Sequence, residues 1–340
     1  MSYERLEARL ASGLDCRHIV TLPDGSVDRY YAVRDATGTR IPTRDAFVEL
    51  LSSARVRSLQ LSPEEIRAGG QAVNTARQVH ALDQSVELYG HLDDPALGPF
   101  PFRTVSMGAP ATVHVLAFDE SGLMLSVEST DIADWDLAVL FAVADVDPDH
   151  WLDDEVLVVQ NWVGFPAMTE ALRQLATVDL GDVTLVFDPG DVTGTPADAV
   201  EALCGALETL ADTVGVVLSA NDRELDRLVT VLDAGDDVSR ERAIRDALGL
   251  EAVVFHHESH AAVAADERWR VENFTARRVD RRTGAGDRFD GGLAVGIAAD
   301  LPWEETLALG NACATYYVEN DAIASVADIR DLVDSRPVDE

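Results

Sequence analysis

Between residues 156 and 256 four short apolar runs alternate with helical patterns, and this constrains the fold more than any other feature of the chain. The runs are "VLVVQNW" (156–162), "VTLVFDP" (183–189), "VGVVLSAN" (214–221) and "EAVVFH" (251–256). Each is rich in valine and lacks the polar alternate positions of a half-exposed strand, so both of its faces need covering. Between them, "PADAVEALCGALETLADT" and "DRELDRLVTVLD" repeat apolar residues at three- and four-residue spacing, the stripe of a helix lying on a sheet. Strand and helix in turn predict an α/β fold, a three-layer α/β/α domain around a parallel sheet. "LAVLFAV" (137–143) reads as a further buried strand. Ligands of such sheets bind beyond the carboxyl ends of the strands. "DPGD" (188–191) and "SANDRE" (219–224) fall there.

The first third has a different texture. "SVDRYYAVRDATGTRIPTRD" is β-rich and broken by "ATGT", and "PATVHVLAFDESGLMLSVES" predicts a hairpin about the turn "DESG" (119–122). Both alternate in polarity, so each has one exposed face. Segments of about 24–45 and 104–130 are therefore expected to form a small β-sheet lid on a single domain spanning 1–340; the plainer alternative is a pair of surface hairpins. Only the tail "DSRPVDE" reads as disordered.

Charge narrows the function classes. The chain carries 61 acidic residues against 27 basic ones, a formal net charge of -34, and every basic residue is arginine. Such a surface stays hydrated where salt screens its self-repulsion, which points to the high-salt cytoplasm of a halophile. Without lysine there is no lysine-bearing phosphate loop and no Schiff base. Nucleic acid is not an expected partner, because a phosphate backbone needs clustered positive charge. Cys16, Cys204 and Cys313 are scattered and expected to be reduced. The charged start "MSYERLEARL" is not a signal peptide and no apolar run has the length of a membrane span, so a cytoplasmic protein with no membrane partner is expected.

Near the end, "RRTGAGDRFDGG" (281–292) sets Gly284, Ala285 and Gly286 directly before Asp287. A glycine turn opening a helix leaves unpaired N–H groups at a positive dipole end, where phosphates bind. An aspartate there repels the anion unless it acts as a base, taking a hydroxyl proton while the amides hold the developing charge. The alternative is that Asp287 only caps the helix. Gly292 and Gly296 share one helix face, which allows close packing.

"TGAGDRFDGGLAVGI" strongly resembles the carboxyl-terminal signature DTTGAGDxFxxGF of the ribokinase-like (PfkB-type) carbohydrate kinases. "AGGQAVNTARQVHALDQSVELYGHLDD" (68–94) resembles that family's amino-terminal GGxxxN stretch. "FDPG" (187–190), "NDRE" (221–224) and "LALGNACATYYV" (307–318) resemble three further motifs, in the family's order over nearly the whole chain. The resemblance implies a kinase that uses ATP and Mg²⁺. Asp287 would be its base, and the amides of Gly284, Ala285 and Gly286 its anion hole. Gly69, Gly70, Asn74 and, more loosely, Asp28 would contact the sugar. Asn221 and Glu224 would serve the Mg²⁺–phosphate region through water, with no direct metal ligand, and Thr283 and Asn311 would lie by the nucleotide.

Two departures stand out. Arg281 replaces the signature's first aspartate, which in many members helps bind a monovalent cation. The expectation is that Arg281 supplies the positive charge at the cofactor site instead; the alternative is that Arg281 and Arg282 are both solvated. "HHESHAA" (256–262) replaces a GxxG turn, which implies a reshaped nucleotide loop rather than a metal site. The acceptor is not fixed by the signatures. Arg29 and Arg103 near the sugar site suggest a substrate phosphate held bidentately, favouring ribose 1-phosphate over free ribose, a nucleoside, ketodeoxygluconate or fructose 1-phosphate. A catalytically weak sugar or nucleotide sensor is the rival from another class. The absence of an early GxGxxG argues against a dehydrogenase, and an exposed lid edge offers a route to a homodimer.

Overall fold

The computed structural model describes residues 2–336, apart from 54–55, 120–121, 149–150, 153–154 and 236–237. Its larger sheet has nine strands in the order β13-β12-β11-β10-β9-β8-β1-β4-β5. The four runs singled out above are β8 (Val156–Gln160), β9 (Thr184–Asp188), β10 (Gly215–Ala220) and β11 (Ala252–His256). They pair in parallel, and β8 joins β1 (Ile19–Leu22), which leads on to β4 (Val86–Gly90) and β5 (Arg103–Ser106). Only β12 (His260–Ala264) and β13 (Arg268–Glu272) close the far edge antiparallel.

Side-chain alternation along these strands divides the core in two. Leu157, Val159, Phe187, Leu218 and Val253 face α6 (Met168–Leu175), α7 (Ala197–Ala211) and α8 (Asp222–Leu232) on one side. Val156, Val158, Val186, Val217 and Val254 face α3 (Gln71–Ala81), α10 (Ala285–Ala298) and α11 (Trp303–Asn320) on the other. The α10–α11 contact is close because the glycines allow it: a Cβ on Gly292 would lie 2.8 Å from Gly310 Cα, and one on Gly296 2.6 Å from Thr306.

The smaller sheet has the order β3-β2-β6-β7, from β3 (Gln60–Gly69), β2 (Ser26–Arg34), β6 (Ala111–Ala117) and β7 (Gly122–Val127). β6 and β7 are the expected hairpin, although two residues of its "DESG" turn, 120 and 121, lie outside the described residues. β3 escaped the sequence reading. Its "QLSPEEIRAG" is polar and contains Pro63, which an edge strand tolerates where a bulge interrupts the pairing with Tyr30 and Tyr31. The outer side of this sheet carries α2 (Arg44–Ser52), with Phe47 and Leu50 packed on Val33, Leu116 and Phe118.

One expected strand is a helix. Residues 137–143 form most of α5 (Leu137–Ala144), started by the Asp136 carboxylate accepting from Val139 N–H and stopped by Asp145 in the left-handed conformation. A short apolar run is ambiguous in period, and here the flanking aspartates decide it. Of the tail expected to be disordered, residues 337–340 lie outside the described residues, while Asp334 still ends α12 (Val326–Asp334).

Candidate active site

The strand order reverses between β1 and β8, since β1 continues to β4 on one side and β8 to β9 on the other. A crevice opens there at the carboxyl ends, and a cavity of about 920 Å³ extends from it to the smaller sheet and the start of α10.

Helix α10 begins at Gly284, whose φ of 91° is open to glycine at little cost. The Ala285 N–H is spent on the Arg282 carbonyl at 3.1 Å, which removes it from the expected set of amides and leaves Gly286 as the first helical residue with a free N–H. Asp287, at 8% exposure, reaches the cavity and accepts a hydrogen bond of 2.7 Å from Asn74 Nδ2. Burial pushes its carboxyl above the usual range, opposed by the Asn74 bond and the positive charge of Arg288. A buried carboxylate at the mouth of a helix dipole, facing space, is equipped to take a proton. The capping alternative lacks geometry, because Gly284 is the N-cap and Asp287 lies inside the helix.

The floor comes from the strand ends. Asp24, just after β1, accepts from Gln71 N–H (2.9 Å), Ala72 N–H (2.7 Å) and Asn161 Nδ2 (2.9 Å). It thereby joins the start of α3 to the end of β8 across the point where strand order reverses. Burial pushes Asp24 up to about 6 even with three donors on it. Asp188, at the end of β9, accepts from Gly190 N–H and from Gln71 Nε2. Beneath it Asp290, fully buried, accepts from Ser219 (2.6 Å) and Gln160 (3.0 Å). After β10, Asn221 and Glu224 form a reciprocal cap on α8: Asn221 accepts from the Arg223 and Glu224 amides, and Glu224 accepts from Asn221 N–H at 2.9 Å. Burial first, and the Asp188 charge second, raise the Glu224 carboxyl. Asp188, Asp191 and Glu224 all line the cavity. These hard oxygen donors suit a divalent cation held through its water shell. Among the described residues no three His, Cys, Asp or Glu side chains converge to cage a metal directly.

The roof is the inner face of the smaller sheet, including Asp28, Tyr30, Val113 and Ser126. It is tied to the body by charge. Asp321, just after α11, receives Arg67 in a two-bond fork (2.8 and 2.7 Å) and Arg281 Nε at 2.8 Å. Arg281 also donates to Tyr30 Oη at 2.6 Å and lies over the Tyr30 ring. Its side chain is only 16% exposed, whereas Arg282 is 62% exposed and pairs with Glu258. Arg281 is therefore no solvated surface charge, and Arg282 is.

The structure brings Asp28, Gly70, Asn74, Asn221, Glu224, Arg281, Thr283, Gly284, Gly286 and Asp287 around one cavity. Four other residues expected at the site do not line it, and Ala285 has its amide engaged. Gly69 makes room instead: a Cβ there would meet the Asp28 carboxylate at 2.5 Å. Arg29 alternates with Asp28 and Tyr30 on β2 and lies opposite Ile66 and His114, away from the cavity. Arg103 sits on edge strand β5 and pairs with Glu87 at 3.1 Å. Asn311 is buried and donates to the Val271 carbonyl and Tyr3 Oη, holding α11 to β13. The histidines do not converge either: His256 faces the cavity and packs on Phe289, while His257 and His260 bond to Ser259.

Asp24, Gln71, Asn161, Arg77 and Arg288 line the cavity without having been singled out. Asp24 ends an apolar run before a glycine, and Asn161 stands inside "VLVVQNW" in the left-handed conformation that asparagine tolerates. Both carried a usable signal, a polar residue at a strand's carboxyl end.

A family model described as prokaryotic ketohexokinase matches residues 14–336. A curated ketohexokinase from Haloferax volcanii is 30% identical over 337 residues, covering 90% of this chain and 88% of its own. Solved structures agree in fold. A phosphofructokinase-2 mutant from Escherichia coli superposes with a TM-score of 0.66 at 15% identity, over 95% of this chain and 100% of its own. Ribokinase from Thermotoga maritima gives 0.62 at 17%, with the same coverage. A nucleoside kinase from Methanocaldococcus jannaschii gives 0.66 at 16%, again with that coverage.

Proposed function

Because the chain belongs to the prokaryotic ketohexokinase family, and so is a ribokinase-like carbohydrate kinase, we propose that it transfers the terminal phosphoryl group of ATP to a hydroxyl of a ketohexose. The observation that carries this reading is Asp287: a buried carboxylate bonded to Asn74, one residue past a free helix-start amide, at the wall of a cavity large enough for both substrates. Asp287 accepts the hydroxyl proton as that oxygen attacks phosphorus, and ADP leaves with the electron pair of the broken bond. Asn74 orients Asp287 meanwhile. The amide of Gly286 and the dipole of α10 hold the charge gained by the transferred group. Asp24, Asp28 and Asn161 offer acceptors and a donor to sugar hydroxyls. Mg²⁺, when bound, neutralises the charge of the nucleotide phosphates. Glu224, Asp188 and Asp191 would hold its water shell, and the raised carboxyl groups of Glu224 and Asp188 would gain from a cation nearby.

A ribose 1-phosphate acceptor would need another anchor than Arg29 and Arg103, since neither lines the cavity. The family relationship favours the six-carbon ketose. The sensor reading loses ground to the complete base and helix start. In this reading Arg281 joins lid to body and carries the positive charge of the glycine turn, and the four-stranded sheet closes over the sugar. No helix among the described residues is long and apolar enough to cross a membrane. With the acidic composition, this supports a cytoplasmic enzyme of a salt-rich cell, and the free β7 edge of the lid is its candidate dimer contact. The test is ADP release in high salt with ATP and Mg²⁺ across ketohexoses, pentoses, nucleosides and aldoses. The highest kcat/KM is expected on a ketohexose; preference for a nucleoside or pentose would refute the assignment.

A further inference from the structure

Among the described residues, two arginines at the cavity wall form no ion pair within 4 Å, although Arg288 feels the Asp287 charge from across Asn74. Arg77 lies on α3, one turn beyond Asn74, and Arg288 directly follows Asp287 on α10. Arg288 is only 5% exposed. Of its five N–H groups, one bonds to the Asn74 carbonyl and one to Asn74 Oδ1 at 3.0 Å, while the buried Nε has no partner. Its guanidinium lies over the Tyr317 ring at 4.9 Å. Arg77 donates to the Leu97 carbonyl at 2.9 Å and stacks on Phe100 at 5.1 Å, which leaves the rest of its fork unspent. Among the described residues neither forms an ion pair within 4 Å.

This is costly and, in this chain, unexpected. Acidic residues outnumber arginines by more than two to one, and arginines as exposed as Arg282 and Arg330 have found carboxylates. A buried charge without a partner is destabilising. Burial lowers both guanidiniums, and Arg288 lowers Arg77 further. Glu128, another carboxyl lining the cavity, forms no ion pair with either arginine among the described residues, and burial raises it. Asn74 stands between Arg288 and Asp287, donating to Asp287 and accepting from Arg288. The two positive charges thus lie across Asn74 from the base, on the side of α3 that runs away from Asp24.

We propose that Arg77 and Arg288 form an anion-binding subsite of the acceptor cavity, which takes an oxyanion carried by the sugar at a position remote from the hydroxyl that is phosphorylated. This rests on reading the cavity as the acceptor's, and it extends the acceptor class from a neutral ketose to a ketose bearing a phosphate or a carboxylate. Two guanidinium forks suit either group, and the chemistry they share is a multi-oxygen anion.

Two measurements test it. The first is the thermal shift given by inorganic phosphate against chloride at fixed high ionic strength, for the wild type, Arg77→Gln and Arg77→Lys. The second is kcat/KM for a neutral ketohexose, a ketohexose monophosphate and a six-carbon keto-acid sugar. Phosphate is expected to stabilise the wild type and to lose most of that shift in Arg77→Gln. The preferred anionic acceptor is expected to exceed the neutral one by at least about tenfold in kcat/KM, a ratio that Arg77→Gln cuts by at least about tenfold. Arg77→Lys, which keeps the charge but not the fork, should fall between and guards against a variant that merely folds poorly. Which anionic acceptor wins separates phosphate from carboxylate. Neutral acceptors equal to or better than anionic ones would overturn the proposal, as would a phosphate shift that survives Arg77→Gln. A phosphate shift without acceptor preference would mean a site for free phosphate and also overturn it. Turnover on no acceptor at all would instead defeat the kinase reading, while the phosphate shift still decides whether anions bind.

Discussion

Asp287 and Asp24 are two buried aspartates that the same cavity uses differently. Asp287 has one strong donor, Asn74, and faces open space, whereas Asp24 already accepts from two amides and Asn161. On the proposed role of Asp287 as base, replacing it by Asn keeps the shape and removes the proton acceptor, so kcat should fall by roughly 10³, with the melting temperature held or raised because a buried charge is gone. Asp24 makes a prediction in pH. Its folded value, about 6, lies above the ordinary 3.8, so the folded state holds the proton more tightly. Its contribution to stability is therefore present below pH 4 and lost as pH rises through 6. Asp24→Asn should not show that loss: measured by denaturant unfolding, the variant should gain on the wild type by about 3 kcal/mol between pH 4 and 7. A constant difference across that range would contradict the assignment. Residue by residue, the sequence revealed the members of motifs but not their engagements. "TGAGD" marks Asp287, but only the fold shows that the Ala285 amide is already bonded and that Arg29 points away while Asp28 points in.

At the scale of elements, the strands buried on both faces and the long amphipathic helices were legible because their periods are unambiguous. Residues 137–143 were not, since a seven-residue apolar run fits helix and strand alike until Asp136 and Asp145 cap it. β3 was hidden by its polarity and Pro63, features that an edge strand of a thin sheet accommodates. That strand matters because it carries Arg67 and Glu65 to Asp321 and Arg281. The cluster ties roof to body two residues before the glycine turn. Asp321→Asn should leave two half-buried guanidiniums poorly matched and loosen the roof, raising the acceptor's KM about tenfold while kcat falls less; equal loss in kcat and kcat/KM would place Asp321 in the chemical step instead. At the start of α10, Gly284→Ala forces a side chain into φ of 91° within 3.3 Å of Tyr317. A destabilisation of about 1–2 kcal/mol is expected in thermal or denaturant unfolding, together with a raised KM for ATP.

For the whole molecule, a formal charge of -34 on 340 residues makes stability a function of salt. Screening shortens from about 10 Å at 0.1 M to about 3 Å at 1 M. The melting temperature should therefore climb as KCl rises from 0.1 to 2 M, and a flat response would remove the case for a salt-rich cytoplasm. Composition made this legible without any structure, while the cavity's own charge pattern, with Arg77 and Arg288 forming no ion pair among the described residues, required the packing of α3 on α10. The central claim is that Asp287 is the base of a ketohexose kinase. It is tested most directly by steady-state ADP release at saturating ATP, Mg²⁺ and ketohexose in high salt, comparing the wild type with Asp287→Asn, alongside titration of ketohexose binding to both. The account predicts sugar-dependent turnover that drops by about three orders of magnitude in the variant while sugar affinity stays within a few-fold. Turnover that survives the substitution, or ADP release indifferent to the sugar, would contradict it.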